Sequence, residues 1–410
     1  VTGPDVSIAD ARAIRRAGRD LLSLALIDAR NHTLRWLAAF EQAQASTEAA
    51  QPPADLDPPL WLVGHIGWFQ EYWTSRNLQR MRGTSAQTEA TRLASILPEA
   101  DPWFDPQAVT RPARWTLELT DGAALRQYLV DTLEATLELL SGSDETDEAL
   151  YYFRAALHHE DQQAERFAVL AQVVDLDAQA QRGLLPPPVT PGVRDPIGFP
   201  ATRWSLGSER GGFVVDIEKW AHEVSVPEFE IDAQPVTWGQ FVEFVDDGGY
   251  DDDRLWNAEG WDWLQQTGRR SPRYVEQLHG GVLARREGRL VRVPLAQPLC
   301  HASWYEADAW CRWAGRRLPA EVEWEAAAHQ GATRGFRWGD VWEWTASTLR
   351  PYPGYTPDAW HTLTPPQFGA DKAMRGGSRA TTARLKHAKA RGYAVPHRDD
   401  LFAGFRSCAA

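Results

Sequence analysis

The chain has 410 residues, enough for two or three domains of ordinary size, and its 43% hydrophobic and 24% charged content excludes a wholly disordered chain. Lys and Arg total 43 against 56 Asp and Glu, for a net charge of −13, which argues against a nucleic-acid partner because phosphates need a basic face. No apolar run approaches the ~18–20 residues that span a bilayer, so no membrane partner is expected. The first residues lack a charged-then-apolar signal pattern. Three cysteines, Cys300, Cys311 and Cys408, are too few for a disulfide framework and point to a reducing cytoplasm. Twenty tryptophans predict rigid aromatic core or pocket walls.

In chain order, residues 11–44, 60–82, 121–141 and 148–176 read as helices long enough for a bundle. Residues 96–115 contain Pro98, Pro102, Pro106 and Pro112, which predicts a long irregular connection. The N-terminal domain is thus expected to be a four-helix bundle over residues 8–182. Six prolines then stiffen a linker over 183–200. Residues 201–410 read as short strands and Gly/Trp-rich loops, with helices only near 238–246 and 304–314. The fold class is a helical bundle followed by an α+β domain.

His65 sits in an otherwise aromatic helix, and His158 and His159 sit in the last bundle helix. An imidazole is costly to bury without a partner, and two such helices can meet around a metal. Hydrogen bonding inside the core is the alternative, and spacing leaves both open. Gln163, four residues after His159, offers a neutral oxygen donor on the same face. His158 lies about 100° round the helix and faces elsewhere. His361 and His397 are further candidates for the same shell.

Gly64-His65-Ile66-Gly67-Trp68-Phe69-Gln70-Glu71 and His159-Glu160-Asp161-Gln162-Gln163-Ala164-Glu165 resemble the metal motifs of the DinB-like domain in ergothioneine sulfoxide synthases. The resemblance implies a non-haem Fe(2+) held by His65 and His159. Gln163 stands where that family has a third histidine, and Glu165 matches its trailing glutamate. Downstream, Phe229-Glu-Ile-Asp-Ala-Gln-Pro-Val-Thr-Trp-Gly-Gln-Phe241, Val341-Trp-Glu-Trp-Thr345, Met374-Arg-Gly-Gly-Ser378 and Gly404-Phe-Arg406 resemble the formylglycine-generating-enzyme fold, a variant of the C-type-lectin fold. That enzyme's own activity is not expected, because residues 383–393 lack its cysteine pair.

The combination of domains resembles the sulfoxide synthases end to end. It implies O2, hercynine (Nα-trimethylhistidine) and a chalcogen donor as partners, with the active site between the domains and residues 391–398 along it. A trimethylammonium wants aromatic faces, for which Tyr393, Trp360 and Trp344 are candidates, and Gln162 is a candidate for the carboxylate. Arg398 matches an arginine of the family. Two departures stand out. Gly392-Tyr393-Ala394 replaces Asn-Trp-Asp, whose aspartate helps hold γ-glutamylcysteine in the actinobacterial relatives. The family's proton-donor tyrosine falls near Trp360, whose indole supplies no acid; Tyr352 or Tyr355 would serve only with a rearranged loop. These departures resemble the selenoneine synthases, which take a selenosugar as donor. A thiol donor is the alternative expectation, and a metal-free hercynine-binding protein the third.

Overall fold

The computed structural model describes residues 7–43, 55–119, 122–363 and 365–410, apart from the side chains of Trp360 and Thr362. The last residue of the first expected helix, Gln44, lies outside them. Four long helices form the N-terminal bundle: α1 (Arg19–Gln42), α2 (Pro59–Trp73), α3 (Gly122–Ser141) and α4 (Asp147–Val173). The chain from 11 to 44 is broken rather than continuous. A single turn, Ala11–Ile14, is capped by Asp10, and the Ala17 carbonyl is drawn away to the Arg154 guanidinium of α4 at 2.9 Å. The second helix also ends early, at Trp73. There the Thr74 hydroxyl bonds back to the Gln70 carbonyl at 2.5 Å, and a 3-10 turn over Arg80–Ser85 follows.

Helix α2 is buried almost all round, with Trp61, Leu62, Val63, Ile66, Trp68, Phe69 and Trp73 against its neighbours, the pattern of a helix inside a core. Gly64 makes this possible. The proline-rich connection folds into two single turns, Ala100–Phe104 and Arg111–Arg114, and the first lays the Phe104 ring on Gly64. Helices α1 and α4 are joined by the buried pair Arg30–Glu160 at 2.9 Å, which Thr33 completes at 2.8 Å.

The C-terminal domain is built on two four-stranded sheets. The first contains β1 (Trp342–Thr348), β2 (Lys372–Arg375), β3 (Arg391–Ala394) and β4 (Ala403–Phe405), in the order β3-β2-β1-β4, with β4 parallel to β1 and the other pairs antiparallel. In the second, strand Ile197–Phe199 lies inside the stretch 183–200 that reads as linker, because it pairs with Phe229–Ile231, which pairs with the terminal strand Cys408–Ala409. The two ends of the domain are thereby tied together. Helices α5 (Trp238–Asp246) and α7 (Trp304–Trp313) lie where the sequence places them, each opened by a capping box. Two more helices were not expected: α6 (Ala258–Thr267), capped by Asn257, and α8 (Glu321–Gln330). Helix α8 is disguised by three glutamates on buried positions. Glu321 takes Arg391, Glu323 takes Arg317 and Glu325 takes Arg375, so the charges are paired inside the domain instead of solvated. Among the described residues no helix is long and apolar enough to cross a membrane.

A methyl group added at Gly64 would overlap the Phe104 ring. Gly64→Ala is therefore expected to cost about 1–3 kcal/mol through overpacking, read as a lower midpoint in thermal denaturation.

Candidate metal centre and interdomain cavity

His65 on α2 and His159 on α4 face each other with ring centroids 5.0 Å apart. His65 is sandwiched on Trp61 at 4.7 Å, and its Nδ1–H donates to the Phe104 carbonyl at 2.9 Å. That hydrogen bond fixes the tautomer and leaves Nε2 with its lone pair. His159 stacks on Phe69 at 3.8 Å. Burial pushes the His65 pKa down to about 4 and holds that of His159 well below the usual value. Both rings are thus neutral near pH 7, the form that coordinates a cation.

The Gln163 amide, one turn after His159, donates an N–H to His159 Nε2 at 3.0 Å. Its Oε1 is buried and has no hydrogen-bond partner among the described residues. Turning this amide over would trade its N–H on His159 Nε2 for the partnerless oxygen, and that oxygen beside the two imidazole nitrogens fits a cation with three protein donors. Among the described residues no group of three or more His, Cys, Asp or Glu side chains is placed to hold a metal.

These three residues line a cleft of about 40 Å³. Beside it lies a chamber of about 280 Å³ between the domains, and the two share Arg111, Gln162 and Arg166 in their walls. The bundle contributes Leu62 and Val169 to the chamber, and the C-terminal domain contributes Trp342, Met374, Tyr393 and Arg398. Arg111, Arg114 and Arg166 all converge on one buried carboxylate, Asp57, at 3.5, 2.7 and 3.4 Å. Of these guanidiniums, Arg111 and Arg166 stand in the chamber wall and share Asp57 with Arg114, which leaves them charge to offer an anionic group, with Asp55 as the other aspartate of that wall.

Sequence reasoning missed Asp57 and Arg111, which stand on a loop and at the start of a single turn far from any motif, and it missed Arg166 although that residue directly follows Glu165 on α4. It also passed over Trp342, whose indole N–H donates to Glu165 at 2.7 Å at the chamber wall. Glu165 does not face the cleft. It bridges the domains, accepting also from Ser378 at 2.9 Å and Thr381 at 3.0 Å.

The remaining candidates separate. Gln162 stands in the walls of both spaces, and Tyr393 and Arg398 in that of the chamber. Arg398 is held by Asp400 at 2.5 and 2.8 Å. Trp344 is a correction: it is fully buried in the domain core, with its indole N–H on the Ala302 carbonyl at 2.8 Å, because α7 covers that part of the sheet. Tyr355 is another. It packs edge-on against Phe368 and faces Asp216 from behind the chamber wall. Tyr352 is buried under the Arg391 guanidinium, also away from the chamber. Trp360 lies in the short helix Ala359–Leu363, and its side chain is outside the described ones. His158 turns to Phe213, His397 is exposed, and His361 lines the chamber rather than the metal cleft.

Residues 25–173 match the DinB superfamily, and residues 196–340 match the sulfatase-modifying factor enzyme 1-like domain. Over 94% of its length the chain is 30% identical to the hercynine oxygenase of Mycobacterium tuberculosis, covering 97% of that protein. It is also 30% identical to the hercynine oxygenase of Mycolicibacterium smegmatis, over 95% of this chain and 98% of that one. The formylglycine-generating enzyme of Streptomyces coelicolor is 31% identical over 36% of this chain and 51% of its own.

Burial raises the Glu165 pKa above 4.5, against the pull of its three hydrogen-bond donors. A carboxyl raised in the folded state contributes stability that is present below the unfolded pKa and lost as pH rises through the folded one. Glu165→Gln removes that dependence. The melting temperature of the variant relative to wild type is therefore expected to improve steadily as pH is raised from about 4.5.

Proposed function

The chain belongs to the hercynine oxygenase family, and on that premise we propose that it is an iron(II)- and dioxygen-dependent synthase that joins the selenium of a selenosugar to C2 of the hercynine imidazole. The observation that carries the metal reading is the buried set of two neutral imidazoles and one unpartnered amide oxygen. His65, His159 and Gln163 would hold the ion. When bound, iron supplies dioxygen activation and a template for the substrate ring.

The chamber's own residues bind and orient the substrate. Its trimethylammonium meets the ring face of Trp342, and its carboxylate meets the guanidiniums of Arg166 and Arg111 with Gln162 beside them. The shape of the carboxylate inventory favours the selenosugar. Asp57 is taken by three arginines and Glu165 by three donors, which leaves the exposed Asp55 as the chamber's remaining carboxylate, and Ala394 stands where actinobacterial relatives use an aspartate on the amine of γ-glutamylcysteine. A donor that carries hydroxyls instead of an ammonium needs no such partner.

Anaerobic reconstitution with ferrous iron, followed by oxygen, hercynine and each donor in turn, tests the reading by mass spectrometry. A carbon–selenium product from the selenosugar alone is expected. Product from γ-glutamylcysteine or cysteine would make the protein a sulfoxide synthase instead. No product and no iron uptake would leave a metal-free hercynine-binding protein. In the same experiment, His65→Ala and His159→Ala are expected to abolish iron retention, Gln163→Ala to weaken it and Gln163→His to strengthen it, measured by metal analysis after dialysis.

A further inference from the structure

We propose that Tyr393 is the catalytic residue that takes up the proton leaving the substrate ring carbon, and that His361 and Asp216 position it and carry its own proton. The proposal rests on the functional reading above and supplies the proton-transfer group which neither Trp360 nor Tyr355 provides.

The geometry is a three-membered hydrogen-bonded chain that ends at the chamber. Tyr393 projects from β3, and its hydroxyl is 3.0 Å from His361 Nε2. His361 Nδ1 lies 2.6 and 2.7 Å from the two oxygens of Asp216. Asp216 is fully buried, and each of its oxygens also accepts a backbone N–H, from Ile217 at 2.6 Å and from Asp358 at 2.8 Å. Asp216 therefore acts as acceptor, so Nδ1 of His361 carries the imidazole proton and Nε2 accepts from the tyrosine. The order is that of a hydroxyl–imidazole–carboxylate triad with a phenol in the leading place. Both Tyr393 and His361 line the chamber of about 280 Å³. The phenol oxygen keeps a lone pair that is not used by His361.

Arg166 and Asp371 act on Tyr393 with opposite sign. Lys219, Tyr151 and Asp216 act on Asp358 behind the chain, and Tyr355 faces Asp216. Burial is the largest influence on Tyr393 and holds its pKa above the usual phenol value, so the hydroxyl rests protonated near pH 7. A residue in that state accepts a proton only if it passes its own on, and His361 is placed to receive it.

The balance is as follows. Hercynine, the selenol R–SeH and O2 give the C2–Se(=O)–R product and water. The C2–Se bond forms and C2–H and Se–H break. Dioxygen takes four electrons, two from coupling carbon to selenium and two from oxidation of selenium; one oxygen stays on selenium and the other leaves as water. The C2 proton passes to the Tyr393 oxygen as the tyrosine proton passes to His361 Nε2. The reverse transfer delivers it to the departing water, and the chain ends as it began.

The test uses the full-length, iron-loaded protein with Tyr393→Phe, which keeps the ring and removes only the hydroxyl. Hercynine affinity, measured anaerobically by calorimetry without donor, is expected to change less than about twofold. The turnover number is expected to fall roughly 10²–10⁴-fold, the usual contribution of a positioned proton-transfer group. Turnover of C2-deuterated hercynine should show an isotope effect in Tyr393→Phe that is larger than in wild type. A merely structural hydrogen bond would not move that effect. Histidine nitrogen NMR of the metal-free protein should show His361 as the Nδ1–H tautomer, with its Nε2 signal displaced in Tyr393→Phe. Unchanged turnover and isotope effect in an active enzyme, or an unmoved His361 signal, overturns the relay and leaves the function standing. Wild type inactive with every donor overturns the functional reading and the relay with it.

Discussion

The two domains meet through buried charges whose partners come from the opposite domain. Arg384 of the C-terminal domain reaches Asp161 at 2.6 and 2.9 Å and Asp28 at 2.8 Å. Arg15, ahead of the bundle, forms a two-pronged pair with Glu218 at 2.7 and 2.8 Å. Tyr151 bonds to Asp358, which also holds Lys219. Glu165 accepts three hydrogen bonds across the same boundary. Buried pairs of this kind contribute little net stability, because desolvation offsets the attraction. Their effect is on geometry: any sliding of one domain on the other would leave a buried charge without its partner. The relative placement of the domains, and hence the shape of the chamber between them, depends on this constraint.

Helix α4 is where the constraint meets the chemistry. With about 3.6 residues per turn, His159, Gln163 and Arg166 lie on one side, toward the metal cleft and the chamber wall. Tyr151, Asp161 and Glu165 lie on the other, toward the C-terminal domain. One rigid element thus fixes the distance between His159 and Gln163 and the residues of the second domain. Loops could not do this with the same precision.

The electrostatics of the two spaces differ in a way that suits their contents. The cleft is walled by Trp61, and its imidazoles rest on aromatic rings, which keeps them neutral. The chamber carries cationic arginines on the bundle side and hydrogen-bonded aromatic residues, Trp342 and Tyr393, on the other. Such a division would suit a zwitterion with a quaternary ammonium at one end, with Asp55 as a further carboxylate on the chamber wall.

The sequence by itself determined the two-domain order and the long bundle helices, because helical periodicity carries these signals, whereas spacing left the meeting of His65 with His159 open and only the family resemblance implied it. It also placed Gln163 on the face of His159, since four residues make one turn. It did not determine where helices stop, because Thr74 and Arg154 end them through hydrogen bonds to groups that are remote or hidden in the helix interior. Helix α8 escaped for the related reason that its glutamates read as solvated until their arginine partners were in place. Of Trp344 and Trp342, two residues apart on one strand, the one singled out from the chain is buried in the core and the one passed over stands at the chamber, a difference that only packing decides. Asp216, His361 and Tyr393 are separated by 145 and 32 residues, and no local spacing relates them. The triad exists because the first-sheet strand β3 and the chain that precedes it pack side by side, and long-range packing is the part of structure that a reading of local pattern does not contain.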